Sequence, residues 1–107
     1  MIAWKLRVSF HPKMPKSIYT DEYQHFLSEL KEARVRADVT QEQLAESLGE
    51  HQTFVSKVER GVRRIDVVEL RLWLAALNTS FPDFCSQLDS RLARHIRASI
   101  GAHKKAR

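Results

Sequence analysis

An all-α fold of five helices is what the sequence predicts, and three observations carry that prediction. Apolar residues recur at three- and four-residue steps through residues 21–92, the spacing of a single helix face. Two helix-start signatures stand at 40–43 and 66–69, Thr40 with Gln43 and Asp66 with Glu69. In each, a capping side chain is answered three positions on by an amide or carboxylate. The 107 residues hold only 3 glycines and 3 prolines, too few for a turn-rich sheet protein.

The first helix is expected over 21–37, capped by Thr20 with Asp21 and Glu22 in its positive first turn. Its apolar stripe is Tyr23, Phe26, Leu27, Leu30, Ala33 and Ala37. Upstream, "HPKMPKS" (11–17) reads as a linker, since its two prolines fix φ and block a helix. The second helix starts after Thr40, with Val39 and Leu44 at the staple positions, and runs to Leu48. Gly49 then stands where a left-handed stop residue belongs. The third covers 52–60 and ends at Gly61. The fourth starts after Asp66, with Ile65 and Leu70 as staple, and turns Leu70, Trp73, Leu74 and Leu77 inward. The fifth starts near Ser80, tolerates Pro82 in its first turn, and buries Phe84, Leu88 and Leu92. Connections of two to five residues make one compact domain over 21–92.

Charge divides the chain. Residues 1–20 carry four Lys/Arg and no acid, and residues 91–107 carry six and no acid. Residues 21–90 hold eight bases against thirteen acids, a net of −5. Five of those eight bases, Lys57, Arg60, Arg63, Arg64 and Arg71, fall in one short window. Localised positive charge on an acidic domain suggests a directed anionic contact; a merely solvated basic face is the plain alternative. The single cysteine, Cys85, excludes an internal disulfide and a paired-thiol metal site. It fits a reducing, cytoplasmic compartment. No apolar run spans a membrane. The five histidines are scattered, none stands with Cys85 at ligand spacing, and there is no glycine-rich phosphate loop. These absences argue against an enzyme and call for no cofactor or metal.

The specific signal lies in residues 41–60. Leu44 and Leu48 are apolar, Ala45 is small, Gly49 follows, and Val55 and Val58 are apolar. Two helices joined by a tight turn cross where only a small side chain such as Ala45 fits. The turn needs the positive φ that Gly49 supplies at little cost, and the valines seat the second helix on the core. This stretch, "TQEQLAESLGEHQTFVSKVERG", resembles the Cro/Xre-type, lambda-repressor-like helix–turn–helix family. "RRIDVVELRLWLAALNTSF" is similar to that family's fourth helix and the approach to its fifth. The resemblance implies a compact five-helix bundle that binds double-stranded DNA sequence-specifically, usually as a homodimer regulating transcription.

The helix geometry agrees independently. At about 100° per residue, Thr53, Ser56, Lys57 and Arg60 fall within about 50° of the direction opposite Val55 and Val58. All four can donate a hydrogen bond and none is acidic. Gln52 sits in the first turn, where a side chain projects past the helix end. Gln52, Thr53, Ser56 and Lys57 are therefore the candidate base readers, glutamine suiting adenine and lysine guanine. Arg60, Arg63 and Arg64, at the helix end, suit phosphates. The resemblance implies a phosphate contact for Gln41, whose helix start suits an anion. It also implies an ion pair between Glu59 and Arg34 on the first helix. Phe54 lies on the flank, as a partial core residue or a base contact, and His51 occupies a cap position where the family more often has Ser or Thr. For each candidate, the plain alternative is an exposed and silent side chain.

The ends are less specific. Residues 1–20 form an arm in which "IAWKLRVSF" alternates like a strand. Three readings stand: a true start at Met14, a strand paired across a dimer axis, or packing on the domain. Residues 93–107 read as a basic tail; "SRLARHIRASIGAHKKAR" could extend the fifth helix with Leu92 and Ile96 inside, "AHKKAR" remaining disordered. The function expected is a dimeric repressor on a two-fold operator in the cytoplasm, bound to the nucleoid. The alternative is an antitoxin-like module that also binds its own promoter, with a toxin as protein partner.

Overall fold

The structure, a computed structural model, describes residues 16–105, and side chains over 21–98. Five helices follow one another: α1 (Lys16–Arg36), α2 (Gln41–Leu48), α3 (Gln52–Glu59), α4 (Val67–Ala76) and α5 (Phe81–Lys105). This is the expected all-α architecture. Among the described residues no helix is long and apolar enough to cross a membrane.

The local signals act as chemistry requires. At α2 the Gln43 N–H donates to Thr40 Oγ1 (3.0 Å), and the Thr40 N–H donates to Gln43 Oε1 (3.0 Å). At α4 the Glu69 N–H donates to Asp66 Oδ1 (2.7 Å), and the Asp66 N–H donates to Glu69 Oε1 (3.1 Å). Each box satisfies two N–H groups the helix leaves unpaired. Gly49 ends α2 with φ 69°, and Gly61 follows α3 with φ 79°. Gly61 also meets a steric limit, since a Cβ there would stand 3.0 Å from Leu27 Cδ1.

Leu30, Leu44, Val55, Val58, Trp73 and Leu74, from α1 to α4, are fully buried and fill one core. Each is worth about 1.5–3 kcal/mol of transfer free energy. Phe84 of α5 closes that core, its ring meeting Phe26 of α1 edge-on at 6.1 Å. α2 and α3 pack on one another, with Ala45 buried at their crossing.

Three expectations need correction. Thr20 does not cap α1. Thr20 lies inside the helix, which already includes Lys16 and Ser17 of the expected linker. α5 does continue past residue 92, as the extension reading expects, but residues 102–105 of the stretch expected to be disordered are helical as well. Ile96 does not turn inward and is 41% exposed, since α5 there has run past the core. The strand-like stretch at 2–10 lies outside the described residues.

α1 and α5 are joined by charge. Glu29, 6% exposed, accepts from Arg91 Nη1 at 3.0 Å. Arg91 Nε donates to His25 Nδ1 (3.2 Å), and Arg36 approaches both Glu29 and Glu32. Nothing in the helical spacing of α1 marks Glu29 as buried, because its cover comes from a helix 62 positions on.

Candidate nucleic-acid interface

Val55 and Val58, both at 0% exposure, pin α3 to the core. Pinning one side fixes which residues point out. Thr53, Lys57 and Arg60 are exposed, and Gln52 and Ser56 are partly covered. Neither Thr53 nor Lys57 has a side-chain hydrogen bond or ion pair among the described residues. Ser56 is engaged locally: its hydroxyl accepts from Arg60 Nε at 3.2 Å.

The start of the row is tied to the interior by a chain of four side chains. Gln52 Nε2 donates to Gln41 Oε1 at 2.7 Å, and Gln41 Nε2 donates to Glu59 Oε1 at 2.9 Å. Glu59 in turn accepts from Arg34, at 2.7 Å from Nε and 3.1 Å from Nη2. Arg34 also donates to the Val39 carbonyl at 2.9 Å, closing the α1–α2 loop. The side chains of Arg34 and Glu59 are only 11% and 3% exposed. A buried carboxylate holding a two-pronged guanidinium is rigid, so the two glutamine amides are oriented by a fixed group. Gln41 and Gln52 are eleven positions apart. Sequence reasoning placed both at the site but missed the bond between them, which depends on the angle of the turn at Gly49.

The arginines differ from one another. Arg63 grips Glu69 with both ends of its fork, at 3.1 and 2.9 Å, and lies 4.7 Å above the centre of the Phe54 ring. Its contact holds the Glu69 carboxyl below the usual carboxylate range, helped by the Asp66 N–H. The same pairing raises Arg63 above its ordinary value. Arg63 thereby braces the α4 cap against α3. Arg64 stacks over the Tyr23 ring at 4.6 Å. Both guanidiniums remain exposed beside the α3 row. Phe54 is partly buried and packs on Trp73 at 6.3 Å, a core contact at the flank. His51 is exposed and makes no side-chain cap bond, so α3 begins without the help that α2 and α4 have. No group of three potential metal ligands occurs among the described residues.

A cationic, acid-free row on a pinned helix, stacked on a second helix across a tight turn, is the geometry that lays a helix in a duplex groove. Known proteins agree. The Helix-turn-helix family matches residues 30–84. Control protein C.SmaI of Serratia marcescens is 44% identical over 45 residues, a stretch covering 42% of this chain and 54% of that protein. This chain thus spans about half the length of that relative. A solved structure, an XRE-family-like protein from Pseudomonas syringae pv. tomato, superposes with a TM-score of 0.66 at 39% identity. The superposition covers 71% of this chain and 93% of that one. The chain belongs to the Cro/Xre-type helix–turn–helix family of DNA-binding transcriptional regulators, which are not enzymes.

Proposed function

We propose that this chain is a repressor that lays α3 in the major groove of a two-fold-related operator, two copies together reading half-sites about 34 Å apart. The observation that carries the reading is the row Thr53, Lys57, Arg60: exposed, free of acids, and with Lys57 unclaimed by any carboxylate. An ammonium left without an internal partner is available to a guanine edge. Thr53 adds a methyl group and a hydroxyl. Gln52 reaches a base while Gln41 holds its amide, and Gln41 and the free N–H groups of α2 face a phosphate. Arg60 serves a phosphate from the helix end, with Ser56 steering its guanidinium. Arg63 and Arg64 add positive field at the backbone while retaining their internal contacts. The name of the Serratia relative, a control protein, supports regulation as the role. A toxin partner has no comparable support; the strand-like segment that would serve it lies outside the described residues.

Selection of binding sites from random duplexes tests the reading. An enriched site with two inverted halves supports it, and placing that site over a promoter should lower reporter output. Recovery of no preferred sequence, with binding abolished uniformly by salt, would leave only a non-specific DNA coat.

A further inference from the structure

α4 is apolar on both sides. Trp73, Leu74 and Leu77 are buried, whereas Val68 (64% exposed), Leu72 (59%) and Ala75 face solvent. At about 100° per residue those three outward residues lie within about 35° of the direction opposite the buried ones. A contiguous apolar strip on the outer side of a surface helix marks an interaction site. Leu48, at the end of α2, widens the strip. Two shallow hollows flank Leu72 there, one shared with Phe54 and Glu50, the other with Ala75 and Ala76.

The borders of the strip carry opposite charge. Arg71 stands on one side of α4 and Glu50 on the side toward α2. Neither side chain forms an ion pair or hydrogen bond among the described residues. We propose that this face is where two copies of the chain meet, about a two-fold axis running along α4. Rotation about that axis sets the Arg71 border of each copy against the Glu50 border of the other. An axis across the helix would instead oppose like charges. A self-complementary patch of this kind is what an isologous contact requires, and it leaves the α3 row uncovered. The inference rests on the two-copy reading above but on no particular base contact.

Sedimentation velocity at micromolar concentration, without DNA, tests it. The intact chain should sediment as a dimer and Leu72→Glu as a folded monomer that keeps the parent's helical circular dichroism spectrum, because Leu72 lies outside the core. Arg71→Glu should weaken dimerisation about tenfold, which is about 1.4 kcal/mol. Adding Glu50→Arg to it should restore most of the loss, since the pair is re-formed across the axis with its signs reversed. A monomeric intact chain, a folded Leu72→Glu that stays dimeric, or no rescue by the reversed pair would each overturn the proposal. A chain made monomeric by Trp4→Glu but not by Leu72→Glu would overturn it too, assigning the contact to the N-terminal segment. Binding of each variant to a single half-site duplex reads the DNA face separately, so failure of the interface does not count against α3.

Discussion

Replacing Arg34 with methionine isolates the ion pair that orients the DNA face. Methionine keeps much of the aliphatic bulk and removes the guanidinium. Glu59 then loses donors at 2.7 and 3.1 Å and keeps only the Gln41 amide, with its side chain 3% exposed. Stripping one partner from a buried pair costs about 3–5 kcal/mol, because the remaining charge is left without compensation. Arg34 is 11% exposed and water can partly replace it, so the lower end, about 3 kcal/mol, is expected. For a domain of this size that is a fall of roughly 12–24 °C in Tm. Urea unfolding followed by circular dichroism measures it directly. The double variant Arg34→Met with Glu59→Met should recover most of the loss, since a buried pair replaced by apolar groups is often nearly neutral. A single-variant loss below about 1 kcal/mol, the range of an exposed pair, would show that the pair does not act as a buried one.

Three further outcomes follow from local geometry. Glu69 is held below its usual range by Arg63 and the Asp66 N–H. Its contribution is therefore present above the unfolded carboxylate value of about 4.3 and fades as pH falls through the lower folded value. Glu69→Gln should thus be less stable than the parent at neutral pH, the gap narrowing below about pH 4 in acid titrations of unfolding. Gly61→Ala should cost more than Gly49→Ala in urea denaturation. Both sites have positive φ, worth about 1 kcal/mol, but only at Gly61 would the new Cβ meet a neighbour, at 3.0 Å. His51→Ser should raise stability by about 0.5–1 kcal/mol in thermal unfolding by supplying the missing cap; no gain would mean that the first turn of α3 is satisfied by water.

The parts of this fold that are legible in the sequence are those decided within one helix or one turn. The boxes at Thr40 and Asp66, the stop at Gly49 and the buried faces of α2, α3 and α4 depend on neighbours three or four positions away. What escapes is decided across helices. Glu29 is held by Arg91 of a distant helix, and Gln41 reaches Gln52 across the turn between α2 and α3. Arg63 looks like a free phosphate-binding cation until Glu69 is seen in its fork. The outward Val68 and Leu72 carry no helical signal of their own, because apolar residues on both faces blur the stripe. At the candidate site the direction of Thr53, Lys57 and Arg60 follows from Val55 and Val58 alone, whereas the Arg34–Glu59 pair was foreseen through family resemblance.

Whether the pinned, cationic face of α3 reads base edges is decided by Lys57→Ala. Lys57 is exposed and unpaired, so its removal should leave stability within about 0.5 kcal/mol of the parent. Equilibrium binding to the selected operator and to its single-base variants, at fixed salt, should weaken by about 1–3 kcal/mol and lose discrimination at one base pair in each half-site. A Lys57→Ala protein that binds every duplex more weakly by the same factor, or that keeps its full preference, would mean that Lys57 reads no base.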